Sequence, residues 1–154
     1  MVAINFSVLV DRVEDGRKTQ TIRLAKCYSR NCSRYAKGGT IVCDGCENPK
    51  LRYREGMKVQ LYTGLRTKYA LKLGEGTITQ VTVVRYDDLT EELAAGDGFV
   101  HGYTTDCSAF CIYSVVLNRR ICLNCTPLDK LRRFLQKKYK NPEKLKFVVV
   151  RWTR

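Results

Sequence analysis

Eight cysteines stand in two quartets of nearly the same spacing. Cys27, Cys32, Cys43 and Cys46 read C-x4-C-x10-C-x2-C, and Cys107, Cys111, Cys122 and Cys125 read C-x3-C-x10-C-x2-C. Each quartet ends in a C-x2-C knuckle, Cys43-Asp44-Gly45-Cys46 or Cys122-Leu123-Asn124-Cys125, preceded by a strand-like run. A strand entering such a turn can bring two thiolates onto one metal ion, so the spacing predicts two structural zinc sites of four thiolates each. Disulfides account for the same even count, above all in a thermophile, and ordinary buried thiols form a third alternative. Neither C-x2-C lies between a strand and a helix in a βαβ pattern, which argues against a redox motif.

The elements around these cysteines are those of a single domain of 154 residues, enough for one ordinary core and too short for two. Strict alternation from Val2 to Val10 predicts a half-buried strand, and Asp15-Gly16 a turn before a strand over residues 19–24. A strand is expected over 57–63, a basic loop over 64–76 with Arg66, Lys68 and Lys72, and a long strand over 77–86. Asp88 to Leu93 reads as a short helix closed by Gly96, and residues 145–152 as a final strand. Thr126-Pro127 opens the best helix, with a capping hydroxyl, Pro at the first helical position and a stripe of Leu128, Leu131, Phe134 and Leu135. Five or six strands with two or more helices predict an α+β or small-barrel domain rather than a doubly wound sheet.

Lys and Arg number 28 against 15 Asp and Glu, a net charge of +13. Residues 126–154 alone carry ten basic side chains against two acidic ones. Such an excess favours a polyanionic partner, nucleic acid first, although a solvated charged face has the same composition. No apolar run approaches the roughly 20 residues that span a bilayer. With no secretory leader at Met1-Val2-Ala3-Ile4-Asn5-Phe6, a cytoplasmic location and no membrane partner are expected. There is no glycine-rich phosphate loop, Walker motif or G-x-S-x-G. The only histidine, His101, is expected to be non-catalytic.

Four segments, in order, resemble the ASCH domain, the activating signal cointegrator homology family of the PUA-like β-barrel superfamily. The stretch Asp15-Gly16-Arg17-Lys18-Thr19-Gln20-Thr21-Ile22-Arg23 is similar to that family's G-x-K-x-x-T-x-R signature. Glu55 to Gly64 resembles its glycine-led barrel strand. The third segment runs from Gly76-Thr77-Ile78 through Asp88-Leu89-Thr90 to Asp97-Gly98-Phe99, and the fourth is the terminal helix and strand. The resemblance implies one ASCH-like β-barrel over residues 1–154, with cysteine-rich insertions at 25–54 and 100–126. It also implies a cleft lined by Lys18, Thr21 and Arg23.

Two classes of function follow. A basic cleft with interleaved tyrosines suits binding of RNA, or secondarily single-stranded DNA, through phosphates and stacked bases. Lys18, Thr21, Arg23, Tyr62, Arg66 and Lys68 are the candidate contacts. Arg23 could instead pair with an acidic neighbour such as Asp97. The resemblance also implies an enzyme, since some ASCH proteins hydrolyse acetylated cytidine with a Lys, a Thr and a Glu, and others have been proposed as ribonucleases. Lys18 and Thr21 match the first two, but Thr79 occupies the place of the Glu, and Glu75 lies on the wrong side of Gly76. A protein-interaction module using the two insertions is a third alternative.

Overall fold

Leu71–Arg85, rich in Thr and Val, forms the long strand around which the sheet is built. The computed structural model describes residues 1–7, 9–100 and 126–154, and between the last two stretches only the backbone of two short strands. The elements in chain order are β1 (Val2–Phe6), α1 (Val10–Glu14), β2 (Gln20–Leu24), β3 (Lys26–Cys27), β4 (Thr40–Ile41), β5 (Lys58–Thr63) and β6 (Leu71–Arg85). They continue with α2 (Glu91–Gly96), β7 (Ile112–Ser114), β8 (Arg119–Ile121), α3 (Pro127–Lys138) and β9 (Lys146–Thr153). Single 3-10 turns at Tyr86–Asp88 and Pro142–Lys144 lead into α2 and β9.

The main sheet has the order β1-β5-β6-β9-β2, with β1 parallel to β5 and the other neighbours antiparallel. Register shifts at Leu61/Tyr62 and Ile78/Gln80 break the ladders. Extra residues of this kind bend a strand and increase its twist, which curls the five strands into a half-barrel. β1 and β2 are left as its two edges. The expected α+β barrel-like class is what the chain adopts. β3 pairs with β4, and β7 with β8, as separate two-stranded ribbons.

β9 explains why two cores coexist. Val148, Val150 and Trp152 join Ile4, Phe6, Val59, Leu61 and Ile78 in one cluster. Phe147 and Val149, on the alternate positions, pack with Ile22, Leu131 and Leu135 in the other. A strand buried on both faces reads as a continuous hydrophobic run, as Phe147-Val148-Val149-Val150 does. Gly76 is required by the same packing: a Cβ there would stand 2.8 Å from the Thr153 carbonyl oxygen of β9.

Two boundaries differ from the sequence-based expectation. β1 stops at Phe6 instead of running to Val10, because its partner β5 ends opposite it at Thr63. Leu9 then takes a left-handed conformation (φ 54°), and Val13 enters the core from α1. β6 starts at Leu71, inside the expected basic loop, because the end of β5 needs an antiparallel partner and finds it in Leu71 and Lys72. The second cysteine quartet and His101 lie outside the described residues.

Candidate functional site

The two edges of the half-barrel face each other across a narrow cleft, and the G-x-K-x-x-T-x-R segment forms its floor and one wall. Asp15 ends α1 and Gly16 (φ 83°) turns the chain, so Lys18 enters the protein just before β2. Within β2, period two sends Ile22 into the helix-side core and sets Thr21 and Arg23 on the alternate positions. The cleft is lined by Asn5, Phe6 and Ser7 from the β1 side, by Lys18, Thr21, Ile22 and Arg23, and by Asp97, Phe134 and Lys138.

Lys18 is 3% exposed. Its Nζ donates to Asp97 Oδ1 at 2.7 Å and to the Asp97 carbonyl oxygen. Asp97 sits at the C-terminal end of α2, where orphan carbonyls carry partial negative charge, so a cation there is favoured. The same end accepts Arg12 Nη1 at the Gly98 carbonyl. The Ile22 amide of edge strand β2 also pulls on the Asp97 carboxylate. Burial nevertheless pushes the Asp97 carboxyl up to about 6, against the pull of Lys18, the Ile22 amide and Arg23. Burial likewise lowers the Lys18 ammonium, with Asp97 opposing the shift. Desolvation outweighs mutual attraction for both partners.

Arg23 does not pair directly with Asp97. It reaches across the cleft, and its Nη2 donates to the Asn5 carbonyl oxygen at 2.5 Å, linking edge strand β2 to edge strand β1. Its Nε is buried and hydrogen-bonds nothing. The Phe6 ring lies under both cations, 5.7 Å from Lys18 Nζ and 5.8 Å from the Arg23 guanidinium carbon. Asn5 also receives the Leu65 amide on its side-chain oxygen at 2.9 Å, which fixes the β5–β6 loop beside the cleft.

Of the remaining expected contacts, Tyr62, Arg66 and Lys68 belong to that loop and the end of β5, and none of them lines the cleft. Arg66 is exposed with φ 73°, and Lys68 Nζ lies 5.0 Å over the Tyr69 ring. Thr79 is exposed at the bulge of β6, and Glu75 pairs with Lys72 on the exposed surface. The carboxylate that meets Lys18 is thus Asp97, almost eighty positions along the chain. Sequence reasoning did not assign Lys138, Phe134 or Asn5 to the site. Only the lysine gave a signal, as part of the basic C-terminal segment.

A second, larger groove adjoins the cleft and shares Arg23 and Lys138 with it. Its other walls include Lys26, Tyr28, Arg52, Tyr53 and Tyr139. The segment between β2 and β5 that supplies the first four of these also carries the first cysteine quartet. It is tied to the sheet by the Ala25 amide on the Lys146 carbonyl (2.9 Å), by Lys146 Nζ on the Cys43 carbonyl (3.2 Å) and by Arg85 against Asp44 (2.6 Å).

Cys27, Cys32, Cys43 and Cys46 are free thiols, with no pair at disulfide distance. Cys27 is buried on β3, and the Cys46 amide donates to the Cys43 carbonyl at 3.2 Å, closing the knuckle. The Cys27 thiol is pulled down by the Ser29 amide first, then by that of Lys50 and by Cys46. Burial pushes the Cys46 thiol up, with Cys27, Cys43 and Cys32 each near enough to add to it. Among the described residues, no three His, Cys, Asp or Glu side chains already stand at metal-holding distances.

This architecture, a curled five-stranded sheet with a few helices, is a small α+β half-barrel. Its particular form is the ASCH fold. The structure is similar to a crystal structure of an ASCH domain from Lactobacillus crispatus JV V101, with a TM-score of 0.50 and 16% identity. The match covers 99% of this chain and 77% of that one. No family model matches the sequence, and no curated protein does so.

Proposed function

We propose that this protein binds single-stranded RNA, with the cleft between β1 and β2 as an anion-binding point. The observation that carries this is the imbalance of charge there. Among the described residues, Asp97 is the only acidic side chain lining the cleft, and it is engaged with Lys18. Arg23, with its unpartnered Nε, and Lys138 complete a positive wall that suits a phosphate or a base edge. The whole-molecule charge of +13 supplies long-range attraction of the same sign. Titration of a labelled single-stranded RNA at increasing salt tests this. Affinity should fall steeply, by about 0.7 in log K per log salt for each phosphate neutralised. Absence of binding, or equal binding to polyglutamate, would sink it in favour of a protein-interaction role.

A hydrolase is the second reading, favoured by one feature: a buried Lys18–Asp97 pair whose members are both displaced toward neutral pH, in the same cleft as Thr21. Such a pair could take the Thr21 proton as the hydroxyl attacks the acyl carbon and return it to the cytidine amine as the C–N bond breaks. Water then releases acetate from the acyl-threonine, with Asp97 supplying the carboxylate that Thr79 lacks. Release of acetate from N-acetylated cytidine, abolished by Thr21→Val, would establish it. Full turnover by Thr21→Val would dismiss it.

The first quartet we assign to one structural zinc ion, the second by its matching spacing to another. Four free thiols lie in a zinc-knuckle spacing, and the Ser29 and Lys50 amides at Cys27 stabilise a thiolate. Binding would draw Cys32 and Cys43 in toward the Cys27–Cys46 contact. Cobalt substitution should give thiolate charge-transfer absorption, lost in Cys43→Ser for one of two equivalents. No absorption, with eight protons missing from the native mass, would mean disulfides instead.

A further inference from the structure

The cleft is too small to hold a nucleotide by itself. It encloses about 40 Å³, against about 220 Å³ in the adjoining groove, and Arg23 and Lys138 line both. The groove combines what a single strand requires: cations for phosphates and aromatic faces for bases. Lys26 and Arg52 are exposed on its rim. Tyr28 is half-buried and held in place from two directions. Its amide donates to the Lys50 carbonyl at 2.8 Å, and its ring packs so closely on Gly39 that a Cβ there would stand 3.1 Å away. Tyr139, at the C-terminal end of α3, closes the opposite side, its ring edge-on to Phe147 at 5.7 Å. Among the described residues, no acidic side chain lines the groove.

The geometry points to this groove as a nucleotide subsite. One phosphate sits at Arg23 and Lys138, and the neighbouring nucleotide of single-stranded RNA stacks on Tyr28 with its next phosphate at Lys26 and Arg52. The cysteine-bearing segment is then part of the binding surface as well as a stapled loop. This subsite rests on the RNA-binding proposal for the cleft and extends it to a minimum ligand of two nucleotides.

Fluorescence anisotropy with uridine mono-, di-, tetra- and octanucleotides tests both together, using wild type, Lys26→Glu/Arg52→Glu and Tyr28→Leu. Circular dichroism verifies folding, and Tyr28→Phe provides a variant that retains the stacking face. The subsite predicts a jump in wild-type affinity from mono- to dinucleotide. It also predicts a loss of about tenfold or more for the longer ligands in both variants, and rescue in Tyr28→Phe. Equal affinity at every length, or a length-dependent gain that the variants keep, overturns the subsite and leaves the cleft as the site. Absence of binding at any length overturns the cleft proposal too.

Discussion

At the scale of single residues, the Lys18–Asp97 pair costs the fold more than it contributes unless both members are present. Removing one partner of a buried pair leaves an uncompensated charge, typically about 3–5 kcal/mol of destabilisation. Lys18→Ala should therefore lower stability by an amount of that order in urea unfolding, and Lys18→Met/Asp97→Leu should recover most of it. A single variant as stable as wild type would show that the pair does not exist. The pH dependence has a definite sign. Asp97 has its folded value raised from 3.8 to about 6, so its contribution is fully present below about pH 3.8 and is lost as pH rises through about 6. Wild type should thus gain stability relative to Asp97→Asn on acidification from pH 7 to 4, measured by urea midpoints at each pH. A constant difference would contradict the buried carboxyl.

At the scale of elements, the sequence shows clearly those pieces whose periodicity matches a single environment. Thr126 accepts the Asp129 amide at 3.2 Å, with Pro127 at the start of α3, as the cap pattern implies. Thr126→Ala should cost about 1 kcal/mol. Leu135→Ala, at a fully buried position of the same helix, should cost about 2–5 kcal/mol. Thermal unfolding that ranks the two in the reverse order would mean that α3 is not docked through this stripe. The elements that misled did so for tertiary reasons. Val8 and Val10 continue the alternation of β1, but a strand extends only as far as its partner, and β5 stops. Lys72 looks like loop charge, yet β5 recruits it into β6. The cleft was legible where it is local, as Lys18, Thr21 and Arg23 lie on one short segment. Asp97 and Lys138 arrive from helix ends far along the chain, and no spacing encodes that meeting.

At the scale of the whole molecule, an open half-barrel leaves two edge strands that must be satisfied without a further strand. Asp97 lies beside the Ile22 amide of β2, and Arg23 spans to the Asn5 carbonyl of β1. The groups that protect these edges thereby form a cationic seam, extended by Lys138 and the basic rim of the neighbouring groove. Under the proposed RNA binding the same residues serve packing and recognition, in line with the polyanionic partner that the composition favours. Lys138 offers the most direct test, because it is exposed, lines both the cleft and the groove, and is dispensable to the core. The decisive measurement is the affinity of wild type and Lys138→Glu for a labelled single-stranded RNA octanucleotide across a salt series. RNA binding through the seam predicts a steep fall with salt for wild type and a loss of about tenfold or more in the variant, with a shallower salt slope. Identical isotherms for the two proteins, or affinity indifferent to salt, would contradict it.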